Sequence, residues 1–161
     1  MLKYNNTTHK RIATAATSLM TMLLMVGCST DIVYTDSQDI DRDGWSVNTV
    51  AQFEAEVESG VYDIDLLVQS SANYKYQNLW LFVETAIGDS VVRTDTIEGF
   101  LSDNYGRRLG QGIGSVRTDY IILSDSIQLI DTTYTFRIRH GMRAEQLEGV
   151  SQIGITLYRE K

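Results

Sequence analysis

Apolar and polar side chains alternate with a period of two over most of the chain beyond residue 44. That is the pattern of strands with one face in a core and the other in water. Phe53, Ala55 and Val57 alternate with Glu54, Glu56 and Glu58, and Ser59-Gly60 follows as a turn signal. Tyr62, Ile64, Leu66 and Val68 alternate with Asp63, Asp65 and Gln69. Tyr134, Phe136 and Ile138 alternate with Thr135, Arg137 and Arg139, and Ile153, Ile155 and Leu157 with Gly154, Thr156 and Tyr158. Val91 to Ile97 is a weaker, Thr-rich strand. Two segments break the alternation: Leu79 to Val83 and Tyr120 to Leu123 are apolar at every position. Such runs predict central strands covered on both faces, with Trp80 in the core. The single helical candidate is Met142 to Leu147, ended by Gly149.

About eight strands separated by turns predict an all-β fold, an antiparallel β-sandwich of jelly-roll-like form over residues 45–161. A closed lipocalin-like barrel is the alternative. The predicted core is Phe53, Leu66, Leu79, Leu81, Val83, Ile122, Phe136, Ile138, Ile155 and Leu157. At ~1.5–3 kcal/mol for each fully buried large apolar side chain, this set offsets much of the chain entropy without a metal or disulfide. Residues 36–44, polar and turn-like, read as the end of a tether that runs from residue 28 to residue 44.

The first 27 residues follow a different pattern. Lys3, Lys10 and Arg11 precede an uncharged run from Ile12 to Val26, then Gly27 and Cys28. A basic start, an apolar middle and a small residue at the cut form a secretory signal peptide. The apolar run is shorter than the ~20 residues a bilayer-spanning helix needs. Leu24-Met25-Val26-Gly27-Cys28 resembles a bacterial lipobox, and Cys28 is the sole cysteine of the chain. The chemistry requires a thiol there, because a diacylglycerol is attached as a thioether. The expected product starts at the lipidated Cys28 and is held at a membrane by more than one acyl chain. Ser29 rather than Asp follows Cys28, which by analogy favours the outer membrane.

Composition narrows the classes further. The chain has 161 residues and a formal charge of −7. Residues 1–27 hold three of the 14 Lys and Arg and none of the 21 Asp and Glu, so the chain from Cys28 on carries 11 basic against 21 acidic side chains, a formal −10. That balance argues against a nucleic-acid partner. Headgroups of anionic lipids would repel the domain, so the acyl group has to do the anchoring. One cysteine excludes an intrachain disulfide framework and a Cys-only zinc site.

Four features could carry chemistry, each beside a more ordinary reading. Asp39, Asp41 and Asp43 with Gly44 match the first half of a calcium loop, but position twelve is Val50, not Glu. A solvated acidic turn is the simpler reading. Gly106 to Ser115 contains Arg107, Arg108 and Gly110-Gln-Gly112-Ile-Gly114, with glycines and charge suited to phosphate. The spacing is neither a dinucleotide fingerprint nor a P-loop, so a twisted connection between strands is expected. His140 would need serine and carboxylate partners to form a hydrolytic site, and no nucleophile elbow is present. Tyr74, Tyr76 and Trp80 could stack on a sugar, against a reading of Trp80 as core and the tyrosines as interface. If their strands pair, Arg137 and Arg139 would form cross-strand ion pairs with the row Glu54, Glu56, Glu58. No catalytic, cofactor-binding or metal-ligating set is expected.

Several segments occur in a telling order: Asn78-Leu-Trp-Leu-Phe-Val-Glu84, Asp95-Thr-Ile-Glu98, Leu101-Ser-Asp103, Leu109-Gly-Gln-Gly-Ile-Gly-Ser115, Tyr134-Thr-Phe-Arg-Ile138, Met142-Arg143, Leu147-Glu-Gly149 and Ile153-Gly154. With the lipobox, this ordered set resembles the GldH family, the gliding motility lipoproteins of Bacteroidota, over most of residues 45–158. The chain departs from the family pattern at Arg108, at His140 and in the turn near Ala86 to Asp89. The resemblance implies a cell-envelope lipoprotein of the gliding and type IX secretion machinery, with no catalytic activity and no functional residue beyond the lipid-bearing Cys28. Its expected partners are the membrane, through the lipid, and envelope proteins. A carbohydrate-binding envelope lipoprotein is the alternative.

Overall fold

A computed structural model describes residues 31–160, so Cys28 and the signal segment lie outside the described residues. The described residues form ten strands and no helix. Eight long strands make two four-stranded antiparallel sheets. In one, β1 (Asp31–Asp39), β10 (Val150–Arg159), β4 (Gly60–Ser70) and β7 (Arg117–Leu129) lie side by side in that order. In the other the order is β3 (Ala51–Val57), β8 (Thr132–His140), β5 (Asn78–Ile87) and β6 (Ser90–Phe100). A short pair, β2 (Trp45–Ser46) and β9 (Gln146–Leu147), completes the set. This is the expected sandwich and not a closed barrel.

The period-two pattern becomes the inner and outer faces. Strand β3 alternates buried and exposed along its whole length, and β4 alternates from Tyr62 to Ser70. Nine of the ten predicted core residues are 2% exposed or less; the exception is Ile122, at 66%. Both apolar runs were over-read. Strand β5 lies between β8 and β6, yet buries only alternate residues, Leu79, Leu81 and Val83, and turns Trp80 outward. Strand β7 lies at an edge, with Ile121 and Leu123 inward and Tyr120 and Ile122 outward. An uninterrupted apolar run hides the strand's phase, because either register would place apolar side chains in the core.

Three other expectations are corrected. Residues 31–39 are not tether. They pair with β10 from Asp31 opposite Arg159 to Asp39 opposite Gln152, so the sandwich begins at Asp31. Their exposed side chains gave no alternation to read, because β1 is an edge strand held mainly by its backbone. The helix over Met142 to Leu147 does not form. Leu147 pairs with Trp45, and both are fully buried beneath the loops. Six residues offer too few turns to repay helix nucleation, whereas the pairing buries two large side chains. The Glu–Arg ladder is also absent. Strands β3 and β8 do pair, but Glu54 faces Thr135 and Glu56 faces Thr133. Glu58 instead meets Arg159 at 2.7 Å, and Arg139 lies over the Phe82 ring.

Candidate functional site

The two ends of the sandwich are built differently. At one end the connections are two residues long: Glu58-Ser59, Gly88-Asp89 and Ile130-Asp131. Asp31, where the chain enters the sandwich, is in this end's row with Arg159, Tyr62 and Ile127. All the long connections, residues 40–50, 71–77, 101–116 and 141–149, gather at the other end. Strand β4 spans the distance between the ends with 11 residues, about 33 Å at ~3.3 Å per residue. Loops carried on a rigid scaffold are where recognition usually resides.

The sequence candidates can be placed on this frame. The half calcium loop is a turn. The Gly44 N–H donates to the Asp41 carbonyl at 2.9 Å, and Asp39 accepts from Gln152. Its three carboxylates are not brought together. The carboxylates that do converge belong to Asp63, Asp125 and Glu160, which sit far apart in sequence and gave no motif. Ser126 caps them, its N–H donating to Asp63 and its hydroxyl bonding Glu160, so the grouping is an exposed hydrogen-bonded surface cluster.

His140 is buried, edge-on to Trp45 at 5.4 Å, with Nε2 3.0 Å from the Trp45 carbonyl. Burial pushes its pKa down, partly opposed by backbone hydrogen bonds at Trp45 and Met142. Among the described residues no serine or carboxylate is hydrogen-bonded to the ring, so the hydrolytic reading of His140 has no geometric support.

The glycine-rich segment is an ordered connection, as expected. Arg108 donates to Ser70, at both its carbonyl and hydroxyl oxygens, and to the Ser115 carbonyl. Arg107 pairs with Asp103 at 2.7 Å and lies over the Tyr105 ring. Asp103 also accepts the N–H groups of Tyr105 and Arg107, which with the guanidinium hold its carboxyl below the usual range. Both arginines are thus engaged in building the loop. What the loop offers to solvent is apolar: Tyr105 is 86% and Ile113 95% exposed, and Phe100 and Leu109 are more than half exposed.

A second surface at the same end is aromatic. Tyr76, Asn78, Trp80, Gly141, Met142 and Arg143 line a cleft of about 390 Å³. The Gly141 N–H donates to the Trp80 carbonyl at 2.7 Å, fixing the 141–143 segment beside β5. Asn78 donates through its amide to Glu98 of the neighbouring strand β6. Tyr74 packs edge-to-face on Tyr76 at 5.7 Å and donates its hydroxyl to the Asn78 carbonyl, so it supports the surface from below. Its burial raises the phenol pKa well above the ordinary value. The sequence singled out Tyr74, Tyr76 and Trp80. It missed Asn78, Gly141, Met142 and Arg143, which reach the cleft from separate loops and strands.

These features define a two-sheet antiparallel β-sandwich with tight turns at one end and the exposed aromatic side chains Tyr76, Trp80 and Tyr105 at the other. The GldH lipoprotein family model matches residues 32–157, which is nearly the whole described domain, and the chain belongs to that family. It is 25% identical over 149 residues to a gliding motility lipoprotein GldH homolog of Christiangramia forsetii, covering 86% of this chain and 91% of that one. It is 20% identical over 156 residues to the gliding motility lipoprotein GldH of Flavobacterium johnsoniae, covering 91% and 97%. Among solved structures, a family GH115 4-O-methyl-α-glucuronidase is similar in part, with TM-score 0.44 and 11% identity over 83% of this chain and 18% of that one.

Proposed function

We propose that this GldH-family protein is a non-enzymatic interaction component of the gliding and type IX secretion-associated machinery, anchored in the outer membrane through lipid on Cys28. One observation carries the reading: the chain enters the sandwich at the tight-turn end, and the exposed apolar side chains of residues 101–116 lie at the opposite end. Cys28 is three residues before Asp31, a reach of at most about 11 Å. An acyl group on Cys28 therefore holds the tight-turn end near the bilayer and presents the loop end to the envelope. Tethering raises the effective concentration of the loop surface toward membrane-bound partners. Exposed Tyr105, beside Arg107, and Ile113 supply aromatic and apolar contacts of the kind that dominate protein interfaces.

The test is complementation of a deletion strain, read as spreading motility and cargo secretion alongside membrane fractionation. Cys28→Ser is expected to leave the membrane fraction and fail to complement. Tyr105→Ser combined with Ile113→Ser is expected to remain membrane-bound and also fail. Full function from the unanchored form would refute tethering, and full function from the loop variant would refute the loop as the docking surface.

A further inference from the structure

We infer that the cleft between Tyr76 and Trp80 is a binding site for the pyranose rings of a glycan. This site is separate from the apolar loop that carries the proposed protein contacts, and its argument does not depend on that reading.

Several polar groups at the cleft face solvent, whereas their buried counterparts are hydrogen-bonded. The two tryptophans make the contrast. Trp45 is fully buried and its indole N–H donates to the Thr49 carbonyl at 3.0 Å. Trp80 is 38% exposed and its indole N–H makes no hydrogen bond among the described residues. The tyrosines divide in the same way. The hydroxyls of Tyr62 and Tyr74 donate to the Glu58 and Asn78 carbonyls, whereas the Tyr76 hydroxyl makes no hydrogen bond among the described residues and its side chain is 44% exposed. Asn78 uses its amide N–H on Glu98 and keeps its side-chain oxygen for another donor. Arg143, on the rim, has neither a hydrogen bond nor an ion pair among the described residues.

Sugar rings meet this combination. Their C–H faces pack on aromatic side chains, and their hydroxyls both donate and accept at the edge. Here aromatic surface stands beside an amide oxygen, a carboxylate, a guanidinium and two further N–H or O–H groups. The cleft's volume of about 390 Å³ falls within the range of small-ligand sites, ~300–1,000 Å³. Arg143 is the one charged side chain that lines the cleft, and Glu98 stands beside it, held by Asn78; both can bond sugar hydroxyls. The absence of a side chain at Gly141 keeps the floor in place: a Cβ there would come within 2.9 Å of the Phe82 ring and 3.3 Å of the Trp80 Cβ.

The experiment is calorimetric titration of residues 31–161, the compact unit that the strand pairing encloses, with neutral and uronic-acid-containing oligosaccharides. Circular dichroism and thermal unfolding would check that each variant is folded. Submillimolar binding of an oligosaccharide is expected, weakened at least tenfold in both Trp80→Ala and Tyr76→Ala, and weakened less in Trp80→Phe, which keeps a ring but loses the indole N–H. Gly141→Ala, which presses on Phe82 and Trp80, should weaken binding without removing any polar partner. Absence of binding to every oligosaccharide in the panel would overturn the proposal. So would binding that survives the combined Trp80→Ala and Tyr76→Ala change, or a partner protein whose crosslinking at the cleft depends on Trp80 while no glycan competes. None of these outcomes bears on Cys28 or on the loop residues Tyr105 and Ile113, so failure here is distinguishable from failure of the proposed tethering role.

Discussion

The tight-turn end and the loop end of the sandwich share the same eight long strands and differ in how they are finished. At the tight-turn end, a connection such as Gly88-Asp89 has little to touch: a Cβ added at Gly88 would meet nothing within 4 Å. At the loop end, connections press on one another. Gly149 has φ +86, and a Cβ there would lie 2.3 Å from the Tyr74 backbone nitrogen. The Gly149 carbonyl accepts the Ser71 N–H at 2.7 Å, so the segment after β9 and the segment after β4 are in direct backbone contact. Arg108 ties the long 101–116 connection to Ser70. Long loops usually imply mobility, yet here they are cross-braced. An ordered loop end can hold exposed aromatic side chains in fixed positions, and that is the requirement of a recognition surface.

The contrast between the ends can be broken first at the glycines. Gly149→Ala must adopt a left-handed conformation and displace the Tyr74 backbone, so it should cost about 3 kcal/mol or more. Gly88→Ala carries only the conformational strain, about 1 kcal/mol. Urea unfolding of the two variants side by side measures the difference. Equal losses would mean that the loop end is no more tightly packed than the turn.

Removing the brace is a milder intervention. Arg108→Ala loses bonds to Ser70 and Ser115 from a partly exposed guanidinium, so about 1–2 kcal/mol is expected. Hydrogen exchange should quicken across residues 109–118 and stay unchanged in the Gly88-Asp89 turn. Uniform quickening would show that Arg108 supports the whole domain rather than one end.

The smallest effect concerns pH. Burial holds His140 below its ordinary pKa of 6.5, so the unfolded chain takes up a proton there before the folded one does. The stability associated with the neutral ring is present above that range and is lost as pH falls through it toward the depressed folded value. Asp119 and Asp65 act in the opposite sense, since burial raises both carboxyls. The readout is therefore the difference between the wild type and His140→Gln, followed by thermal unfolding from pH 7.5 to 5. The wild type should lose more stability than the variant over that interval; parallel curves would place the proton elsewhere.

Much of the fold was legible because a period of two translates directly into inward and outward side chains. Phe53, Leu66 and Phe136 were assigned to the core from alternation alone; Gln52 and Glu54 beside Phe53 are outside as expected, whereas Thr135 beside Phe136 is buried. Where both neighbours of a position are apolar, phase is lost, and Trp80 and Ile122 were misassigned for that reason. Strand β1 left no trace because all of its side chains but Tyr34 are exposed and its register is set by the backbone of β10. The aromatic cleft was half legible. Tyr74, Tyr76 and Trp80 are close in sequence, whereas Gly141, Met142 and Arg143 join them through the pairing of β5 with β8, a relation no local pattern encodes. The family segment Leu109 to Ser115 was legible as a motif, but its meaning was not. It lies in an exposed loop, with Gly112 and Gly114 at positive φ and Ile113 open to solvent.

The orientation of the anchored domain tests the account most directly. With Cys28 blocked by the thioether lipid proposed for it, a single added thiol at Asp89→Cys or Ile113→Cys can carry a fluorescent donor, and acceptor-labelled lipid in reconstituted vesicles reports its distance from the bilayer. The account predicts strong energy transfer from Asp89→Cys and much weaker transfer from Ile113→Cys, at the end about 33 Å away. Equal transfer from both positions, or stronger transfer from Ile113→Cys, would contradict it.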